Sequence, residues 1–184
     1  MENENPFVVL GLGSNSAWNG MKSEKLIFSA ISFLRPFFSC DFVFSSLYRT
    51  KPMYFENQSD FLNMVVAGKI KKDITPHSLL FEIHKIEECL GRNRALEKRN
   101  GPRSIDIDIE FFGNEHFSAH DLQIPHPRIF ERPFVCVPLY EILPDFASSM
   151  KIPHFSETKD VFLEKSATDF PAFEGSSKKT EKLK

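Results

Sequence analysis

The segment from Ser104 to Phe111 has a residue pattern that could hold a metal ion. Polar and apolar residues alternate along it, in the order Ser104, Ile105, Asp106, Ile107, Asp108, Ile109, Glu110, Phe111. Successive side chains of a strand face opposite ways, so Asp106 and Asp108 are neighbours on one face, with Cα atoms roughly 6.7 Å apart. Mg²⁺ binds one or two carboxylates together with substrate phosphates and water. The spacing therefore predicts a magnesium site, although a solvated strand face is the commoner reason for an Asp-x-Asp pair.

A strongly basic segment, residues 91–103, comes directly before this strand. Its five cationic residues are opposed by Glu97 alone, and they are Arg92, Arg94, Lys98, Arg99 and Arg103. Arginine forks bind phosphate bidentately and neutralise the charge that builds up in phosphoryl transfer. Arg103 lies three residues before Asp106, so the two lie within reach of one substrate. The segment predicts a phosphate site. A surface basic patch and an RNA-binding loop are the alternatives, and the neighbouring carboxylates would repel a nucleic-acid backbone.

His126 stands between Pro125 and Pro127, which present it rigidly. A lone histidine is more often structural than catalytic. Its imidazole has the chemistry to donate a hydrogen bond to a phosphate oxygen, so we include it among the candidates.

Composition indicates a globular protein and gives little information about partners. The 184 residues are enough for one domain, with 41% hydrophobic and 26% charged residues and a net charge of -2. This charge balance offers no overall reason to expect nucleic-acid or anionic-membrane binding. No window approaches the roughly 20 apolar residues of a membrane span. The three widely spaced cysteines fit neither a disulfide framework nor a zinc motif and are interpreted as buried thiols, so we expect a cytoplasmic protein.

The order of predicted elements indicates the fold class. Apolar runs predict strands at 7–13, 42–48 and 61–70, and a fourth strand is the acidic one described above. Helical spacing predicts a helix at about 22–37, and a second helix is capped by Thr75, begins with Pro76 and ends at Gly91. We therefore expect an α+β fold with a ferredoxin-like βαββαβ antiparallel sheet, helices on one face and a C-terminal extension. The strands at 42–48 and 61–70 should pair antiparallel.

The remainder of the chain is predicted less regularly. A last helix should follow Pro133, and loops or a ligand should cover the second face of the sheet. We assign residues 1–155 to one catalytic domain. Residues 156–184 have a low hydrophobic density and end in a lysine- and serine-rich stretch, so we expect a polar, disordered tail.

Taken together, these segments resemble the 6-hydroxymethyl-7,8-dihydropterin pyrophosphokinase family of folate biosynthesis. The resemblance extends in family order over roughly residues 7–144, and the Gly-Pro-Arg-x-x-Asp-x-Asp segment at 101–108 is its most specific part. The other matching segments are Gly13-Ser14-Asn15, Ser46–Thr50, Asp60–Asn63, Ile86-Glu87, Gly91-Arg92, Pro125–Arg128, Arg132–Val135 and Pro138–Ile142.

The resemblance implies the transfer of the β,γ-pyrophosphoryl group of ATP to the hydroxymethyl group of the pterin, with release of AMP. It also implies that Asp106 and Asp108 bind two Mg²⁺ ions, and that Arg92 and Arg103 act with them as catalytic residues. The implied ATP-binding residues are Glu87, Arg92, Arg103, His126 and Arg132. The implied pterin-binding residues are Thr50, Lys51, Pro52, Met53, Phe61, Asn63 and Phe134, with the two phenylalanines on either side of the ring.

The chain departs from the well-known bacterial form of the family at several positions. Asn100 stands where that form has a tryptophan, Lys51 replaces a proline and Phe61 replaces a tyrosine, and the basic segment is one residue longer. Glu110 shares the acidic strand face but matches no ligand of the family, so we expect a solvated residue there. No general base is evident.

Two other functional classes stay open. A ferredoxin-like nucleic-acid-binding module would use the basic segment and sheet aromatics, although the RNA-recognition pattern K/R-G-F/Y-G/A-F-V-x-F/Y is missing from the sequence. A pterin-binding relative without turnover is the other, and the intact metal and phosphate residues disfavour it. We expect a monomer that binds small-molecule substrates, and association with other folate-pathway enzymes is left open.

Overall fold

The computed structural model describes residues 4–98, 100–155, 160–170 and 176–177, without the side chains of residues 41, 176 and 177. The strands are β1 (Phe7–Ser14), β2 (Phe38–Phe44), β3 (Leu47–Thr50), β4 (Phe61–Ile70), β5 (Asp106–Phe112), β6 (Phe117–Ser118), β7 (Gln123–Ile124), β8 (Val161–Lys165) and β9 (Ser176–Ser177). The helices are α1 (Ser23–Leu34), α2 (Pro76–Cys89), α3 (Pro133–Ile142) and α4 (Pro144–Ser149). Short 3₁₀ turns lie at Arg35–Phe37, Ile129–Glu131 and Ala167–Asp169.

The main sheet confirms the predicted ferredoxin-like topology. Its central strands lie in the order β5-β1-β4-β2, and each neighbouring pair is antiparallel. With α1 after β1 and α2 after β4, this is the βαββαβ arrangement. The acidic strand β5 is therefore an outer neighbour of β1, next to the glycines of that strand.

The strand predicted at 42–48 is two strands in the structure, and the second of them continues to Thr50. Both β2 and β3 pair with β4, and the chain bends between them at Ser45 and Ser46. The Ser45 hydroxyl accepts the Val65 N–H at 3.0 Å, which replaces a backbone partner at the bend. As a result Thr50 lies opposite Phe61, the first residue of β4.

One face of the sheet is packed by α1 and α2, as predicted. The apolar stripe of α1 is completely buried against β1 and β4, and its members are Leu26, Ile27, Ala30, Ile31 and Leu34. Helix α2 begins as expected, because Thr75 and Ser78 form a reciprocal capping box and Pro76 occupies the first turn. Gly91 follows its end with a φ of 89°, a conformation that glycine adopts at little cost.

The expectation that loops or a ligand cover the other face is wrong. Helices α3 and α4 pack there, and their apolar residues form a second core with Val9, Val65 and Phe111. The sequence did predict a helix after Pro133, and α3 confirms it. Helices thus lie on both faces, with the second layer supplied by the chain that follows the βαββαβ unit.

A β-bulge changes the alternation of β5. The pairing with β1 shifts between Val9 and Leu10, so that Glu110 is the extra residue between Ile109 and Phe111. Phe111 consequently joins the second core rather than continuing the face of Ile107 and Ile109. Glu110 is 0% exposed, so the expectation of a solvated residue is wrong.

The prediction of a disordered tail from 156 onward is wrong for residues 160–170. Strand β8 pairs antiparallel with β3, and the Lys51 N–H donates to the Asp160 carbonyl at 3.1 Å. Ala167 and Phe170 are buried in the first core. Ser176 and Ser177 form a short parallel pair with β2. The rest of the predicted tail, residues 156–159, 171–175 and 178–184, lies outside the described residues.

The cysteines and the length of the helices can be compared with the expectations from composition. Cys136 is buried as expected, but Cys40 and Cys89 are exposed, so the expectation of buried thiols is wrong for these two. None of the helices in the described part of the chain is long and apolar enough to cross a membrane.

Candidate active site

One pocket lies beside the ends of β1, β3, β4 and β5, on the sheet face that carries the acidic residues. The predicted site residues that line it are Thr50, Lys51, Pro52, Met53, Phe61, Asn63, Arg103, Asp106, Asp108, Arg132 and Phe134. All residues predicted for the pterin are in this set. Glu87 and Arg92 line a second cavity, and His126 belongs to neither lining. The fold therefore brings most of the predicted site together.

A buried amide lies at the bottom of the pocket. Asn63 on β4 donates from Nδ2 to the Thr50 hydroxyl at 2.7 Å, and both residues are buried. A Cβ atom on Gly13 would lie 2.9 Å from Asn63 Oδ1, so the glycine leaves space for this amide. The Asn63 side chain is thereby fixed in orientation, and such a fixed amide can recognise the polar edge of a planar heterocycle.

Two aromatic residues of the pocket, Phe61 and Phe134, each have an arginine next to the ring. The Arg103 guanidinium carbon lies 5.4 Å from the centre of the Phe61 ring, and that of Arg132 lies 5.6 Å from the centre of Phe134. These distances are within the range of cation–π attraction. The ring-binding and cationic parts of the pocket are therefore directly adjacent.

Asp106 is surrounded by cations. Its carboxylate pairs with Arg92 and, at 2.8 Å, with Arg103. Burial alone would raise the pKa of Asp106, but the positive charges of Arg103 and Arg92 outweigh burial and hold that pKa below its usual value. Asp106 is therefore ionised at neutral pH.

Asp108 and Glu110 share Arg132. Arg132 Nη1 lies 2.7 Å from Asp108 Oδ2 and 3.4 Å from Glu110 Oε1. Burial raises the pKa of Glu110 to about 8; the nearby Asp108 charge adds to this increase and Arg132 opposes it. Glu110 lines the same pocket, although sequence reasoning had excluded it.

Glu87 is a buried acid whose oxygens already have partners. It accepts from Arg92 Nη1 at 2.5 Å, from Arg94 Nη2 at 2.5 Å and from the Ile107 N–H at 2.9 Å. Burial raises its pKa to about 6 against the opposing charge of Arg92. Glu87 thus holds the first arginines of the basic segment against β5.

His126 comes directly after Pro125 and lies beside β5. Its backbone N–H donates to the Glu110 carbonyl at 2.9 Å, and its Nδ1 accepts the Arg128 N–H at 3.1 Å. Burial lowers the pKa of His126, and the charge of Asp108 opposes this shift. A neutral imidazole with Nδ1 accepting carries its proton on Nε2, where it can act as a hydrogen-bond donor.

Three loops meet above the pocket through two polar side chains. Asn15 donates to Gln58 Oε1 at 3.0 Å and accepts the Arg103 N–H at 2.9 Å. Gln58 Nε2 donates to the Asn100 carbonyl at 2.9 Å. Asn100 has a φ of 60°, in the left-handed region that asparagine tolerates better than bulky residues do. The position where the bacterial form has a tryptophan is therefore held here by a hydrogen bond.

Two more contacts hold the edges of these loops. Lys51 Nζ lies 3.1 and 3.2 Å from the two carboxylate oxygens of Asp60, which links the two ends of the 51–60 loop. Trp18 packs directly on Gly91, where a Cβ atom would lie 2.2 Å from the indole ring. The start of the basic segment is therefore covered by this tryptophan.

The donor chemistry of the site fits Mg²⁺ that is bound together with a phosphate ligand. The described residues contain no group of three or more His, Cys, Asp or Glu side chains that could hold a metal by themselves. Mg²⁺ does not require one, because it commonly uses one or two carboxylates and completes its shell with phosphate oxygens and water. Asp106 and Asp108 supply such a pair, and their present partners are arginines rather than neutral groups.

Sequence reasoning missed several residues of the pocket. Glu110, Tyr54, Gln58 and Asn100 all line it. Glu110 could have been found only by knowing the bulge, which depends on pairing with β1. The loop contacts of Gln58 and Asn100 depend on tertiary structure, so no local pattern indicated them.

The fold and the pocket define a ferredoxin-like α+β protein that can hold a flat ring beside an anionic group. The aromatic part of the pocket contains the residues that the resemblance implies for the pterin. The charged part contains residues that it implies for ATP and Mg²⁺. The chain belongs to the 7,8-dihydro-6-hydroxymethylpterin-pyrophosphokinase (HPPK) family, whose sequence model matches residues 9–144.

Relatives of known name agree with this assignment. The 2-amino-4-hydroxy-6-hydroxymethyldihydropteridine pyrophosphokinase of Aquifex aeolicus is 38% identical over 138 residues, which are 75% of this chain and 81% of that protein. The protein of the same name from Bacillus subtilis is 47% identical over 98 residues, 53% of this chain and 56% of that protein. The folic acid synthesis protein fol1 of Pneumocystis carinii is 40% identical over 147 residues, and the chain covers 18% of it. The chain thus spans only part of several relatives.

Solved structures support the fold. A Plasmodium falciparum HPPK-DHPS crystallised with pterin and p-hydroxybenzoate superposes with a TM-score of 0.58 at 17% identity. The match covers 85% of this chain and 42% of that one. The superposition extends beyond the region matched by the family model.

Proposed function

We propose that this protein transfers the β,γ-pyrophosphoryl group of ATP to the hydroxymethyl group of 6-hydroxymethyl-7,8-dihydropterin and releases AMP. The observation that supports the proposal is a single pocket that combines the Asn63 amide and two aromatic rings with a wall of paired carboxylates and arginines. Membership of the family adds independent support.

The pterin would lie between Phe61 and Phe134, with its polar edge toward Asn63. The hydroxyl group to be modified would then point toward Arg103, whose guanidinium lies beside the Phe61 ring. Thr50 fixes the Asn63 amide, and Lys51, Pro52 and Met53 would form the rim. This placement holds the nucleophile next to the phosphate site, and such positioning is a large part of catalysis for group transfer.

The phosphates of ATP would bind the cations of the pocket. Arg103 and Arg132 line it directly, whereas Arg92 reaches it through Asp106. Positive groups at these places stabilise negative charge on the group being transferred. His126 would donate from Nε2 to the nucleotide. We assign Glu87 to the nucleotide site through Arg92 and Arg94, because these arginines already occupy its oxygens.

Two Mg²⁺ ions, held by Asp106 and Asp108, complete the proposal. When bound, they would neutralise phosphate charge and orient the attacking and leaving oxygens. The carboxylates would exchange their arginine partners for metal, which frees Arg103 and Arg132 to contact phosphates. A general base is left unassigned.

The proposal is tested by incubating the protein with ATP, Mg²⁺ and hydroxymethyl-dihydropterin. We expect AMP and a pyrophosphorylated pterin in equal amounts. Formation of ADP, or AMP that appears without pterin, would refute the reaction.

Two substitutions test the metal assignment. Asp106→Ala and Asp108→Ala should each abolish turnover and leave the far-ultraviolet circular dichroism unchanged. Exposed Asp121→Ala is the matched control and should be silent. Near-full activity of either variant at limiting Mg²⁺ would contradict the assignment.

Localisation and assembly are further parts of the proposal. We infer a cytoplasmic monomer from the composition, to be tested by cell fractionation and by light scattering. Relatives named folate synthesis bifunctional protein carry a second activity in one chain. Association with another folate-pathway enzyme is accordingly proposed here, and co-purification from the native cell tests it.

A further inference from the structure

The buried carboxylate of Glu110 is an unusual feature of this pocket. The side chain is 0% exposed, and its Oε2 accepts no hydrogen bond from the described residues. The nearest cation is Arg132, at 3.4 Å from Oε1, and the imidazole Nδ1 of His126 lies 3.9 Å from Oε2. Burying a carboxyl group with so few hydrogen-bond partners is costly, so a structural role alone does not account for an acid at this position.

The strand next to it provides the space. A Cβ atom on Gly11 would lie 3.0 Å from Glu110 Oε1, closer than side chains normally approach. The bulge in β5 turns Glu110 toward this glycine and toward Arg132. Two local features, a glycine on β1 and an extra residue on β5, thus accommodate the acid.

Arg132 has two carboxylate partners of unequal strength. Its Nη1 lies 2.7 Å from Asp108 and 3.4 Å from Glu110, so Asp108 is the stronger partner in the structure without ligands. Arg132 Nε is buried and donates to none of the described residues. A divalent cation at Asp108 would take the oxygen on which Arg132 depends. Of its two carboxylate partners, the guanidinium would then keep Glu110 while it also contacts the phosphates.

We propose that Glu110 is a positioning residue that retains Arg132 in the pocket when Asp108 binds a divalent cation. The inference rests on the proposed function, because that function places the cation at Asp108. Without Glu110, Arg132 would have Asp108 as its one carboxylate partner, and a metal would have to break that pair with no second carboxylate to hold the guanidinium in place. Glu110 therefore favours metal binding and keeps Arg132 near the ring of Phe134.

The test is direct binding of Mn²⁺, followed by electron paramagnetic resonance, to the protein saturated with a non-hydrolysable ATP analogue. Glu110→Gln preserves the shape and removes the carboxyl group that faces Arg132. We expect about tenfold weaker Mn²⁺ binding, the scale of one charge-assisted hydrogen bond. Glu115→Gln, the same change at an exposed position, should bind Mn²⁺ like the unmodified protein.

A second variant tests the position of the carboxyl group rather than its presence. Gly11→Ala keeps the carboxylate but places a methyl group against it, so Mn²⁺ binding should weaken in the same direction. Melting curves of all variants establish that they are folded.

A double-mutant cycle separates action through Arg132 from direct action on the metal. In an Arg132→Met background, Glu110→Gln should change Mn²⁺ affinity by less than about twofold, because the residue through which Glu110 acts is missing. An undiminished tenfold effect there would overturn the inference, as would unchanged affinity of the Glu110→Gln protein. Absence of Mn²⁺ binding to the unmodified protein would overturn it too. A failure of the proposed function would be seen separately, because the unmodified protein would then form no AMP from ATP and the pterin.

Discussion

Replacing Phe170 with alanine tests whether the chain beyond residue 155 belongs to the folded domain. The Phe170 side chain is 3% exposed and packs on Phe28, with ring centres 4.5 Å apart. Transfer of a buried phenylalanine side chain from water contributes about 1.5–3 kcal/mol. The cavity left behind brings the typical loss for Phe→Ala to about 3–5 kcal/mol. We expect a decrease in the free energy of unfolding within this range.

The assay is urea unfolding followed by circular dichroism, with Phe162→Ala as the matched control. Phe162 belongs to the same C-terminal segment but is 49% exposed, so its loss should change the free energy of unfolding by less than about 0.5 kcal/mol. A decrease of under about 1 kcal/mol for Phe170→Ala, or equal effects of the two changes, would refute the packing described here.

Further predictions concern the pocket and its loops. Thr50→Val removes the acceptor of the Asn63 amide and should raise KM for the pterin about tenfold with little change in KM for ATP; equal increases in both would contradict the role of Asn63. Gln58→Leu breaks the contacts to Asn15 and Asn100 and should lower kcat/KM for the pterin, whereas Glu56→Gln in the exposed part of the same loop should not. Burial and the charges of Arg94 and Arg92 lower the pKa of His84, so the unfolded chain binds more protons and stability should fall as pH decreases below about 6.5. The urea concentration at the midpoint of unfolding, measured at one pH above and one pH below 6.5, tests this loss of stability. On acidification the His84→Gln protein should lose less stability than the unmodified protein.

The parts of the fold that follow local rules were predictable from the sequence. Thr75 and Pro76 predict the start of α2, because a hydroxyl cap accepts a free backbone N–H of the first turn and proline has no N–H to leave unpaired there. The structure confirms both positions. The strand Phe61–Ile70 is confirmed with the same bounds, since it is a long apolar run between polar segments.

Features that depend on pairing between distant segments were not predictable. Strand β8 carries Phe162 and Leu163, which are 49% and 61% exposed, so its stability comes from pairing with β3 rather than from an apolar face. The burial of Glu110 likewise depends on the β-bulge in β5, which arises from the pairing of this strand with β1. The sequence predicted disorder for the first and solvent exposure for the second, and in both cases pairing with a neighbouring strand determined the outcome.

The contact between Trp18 and Gly91 supplies a built-in optical reporter. The sequence contains a single tryptophan, and its ring lies against the first residue of the basic segment with 37% of the side chain exposed. Any displacement of the segment away from the ring would expose the indole to water and shift its emission to longer wavelength. Intrinsic fluorescence can therefore follow the segment during nucleotide binding in the unmodified protein, without an attached dye.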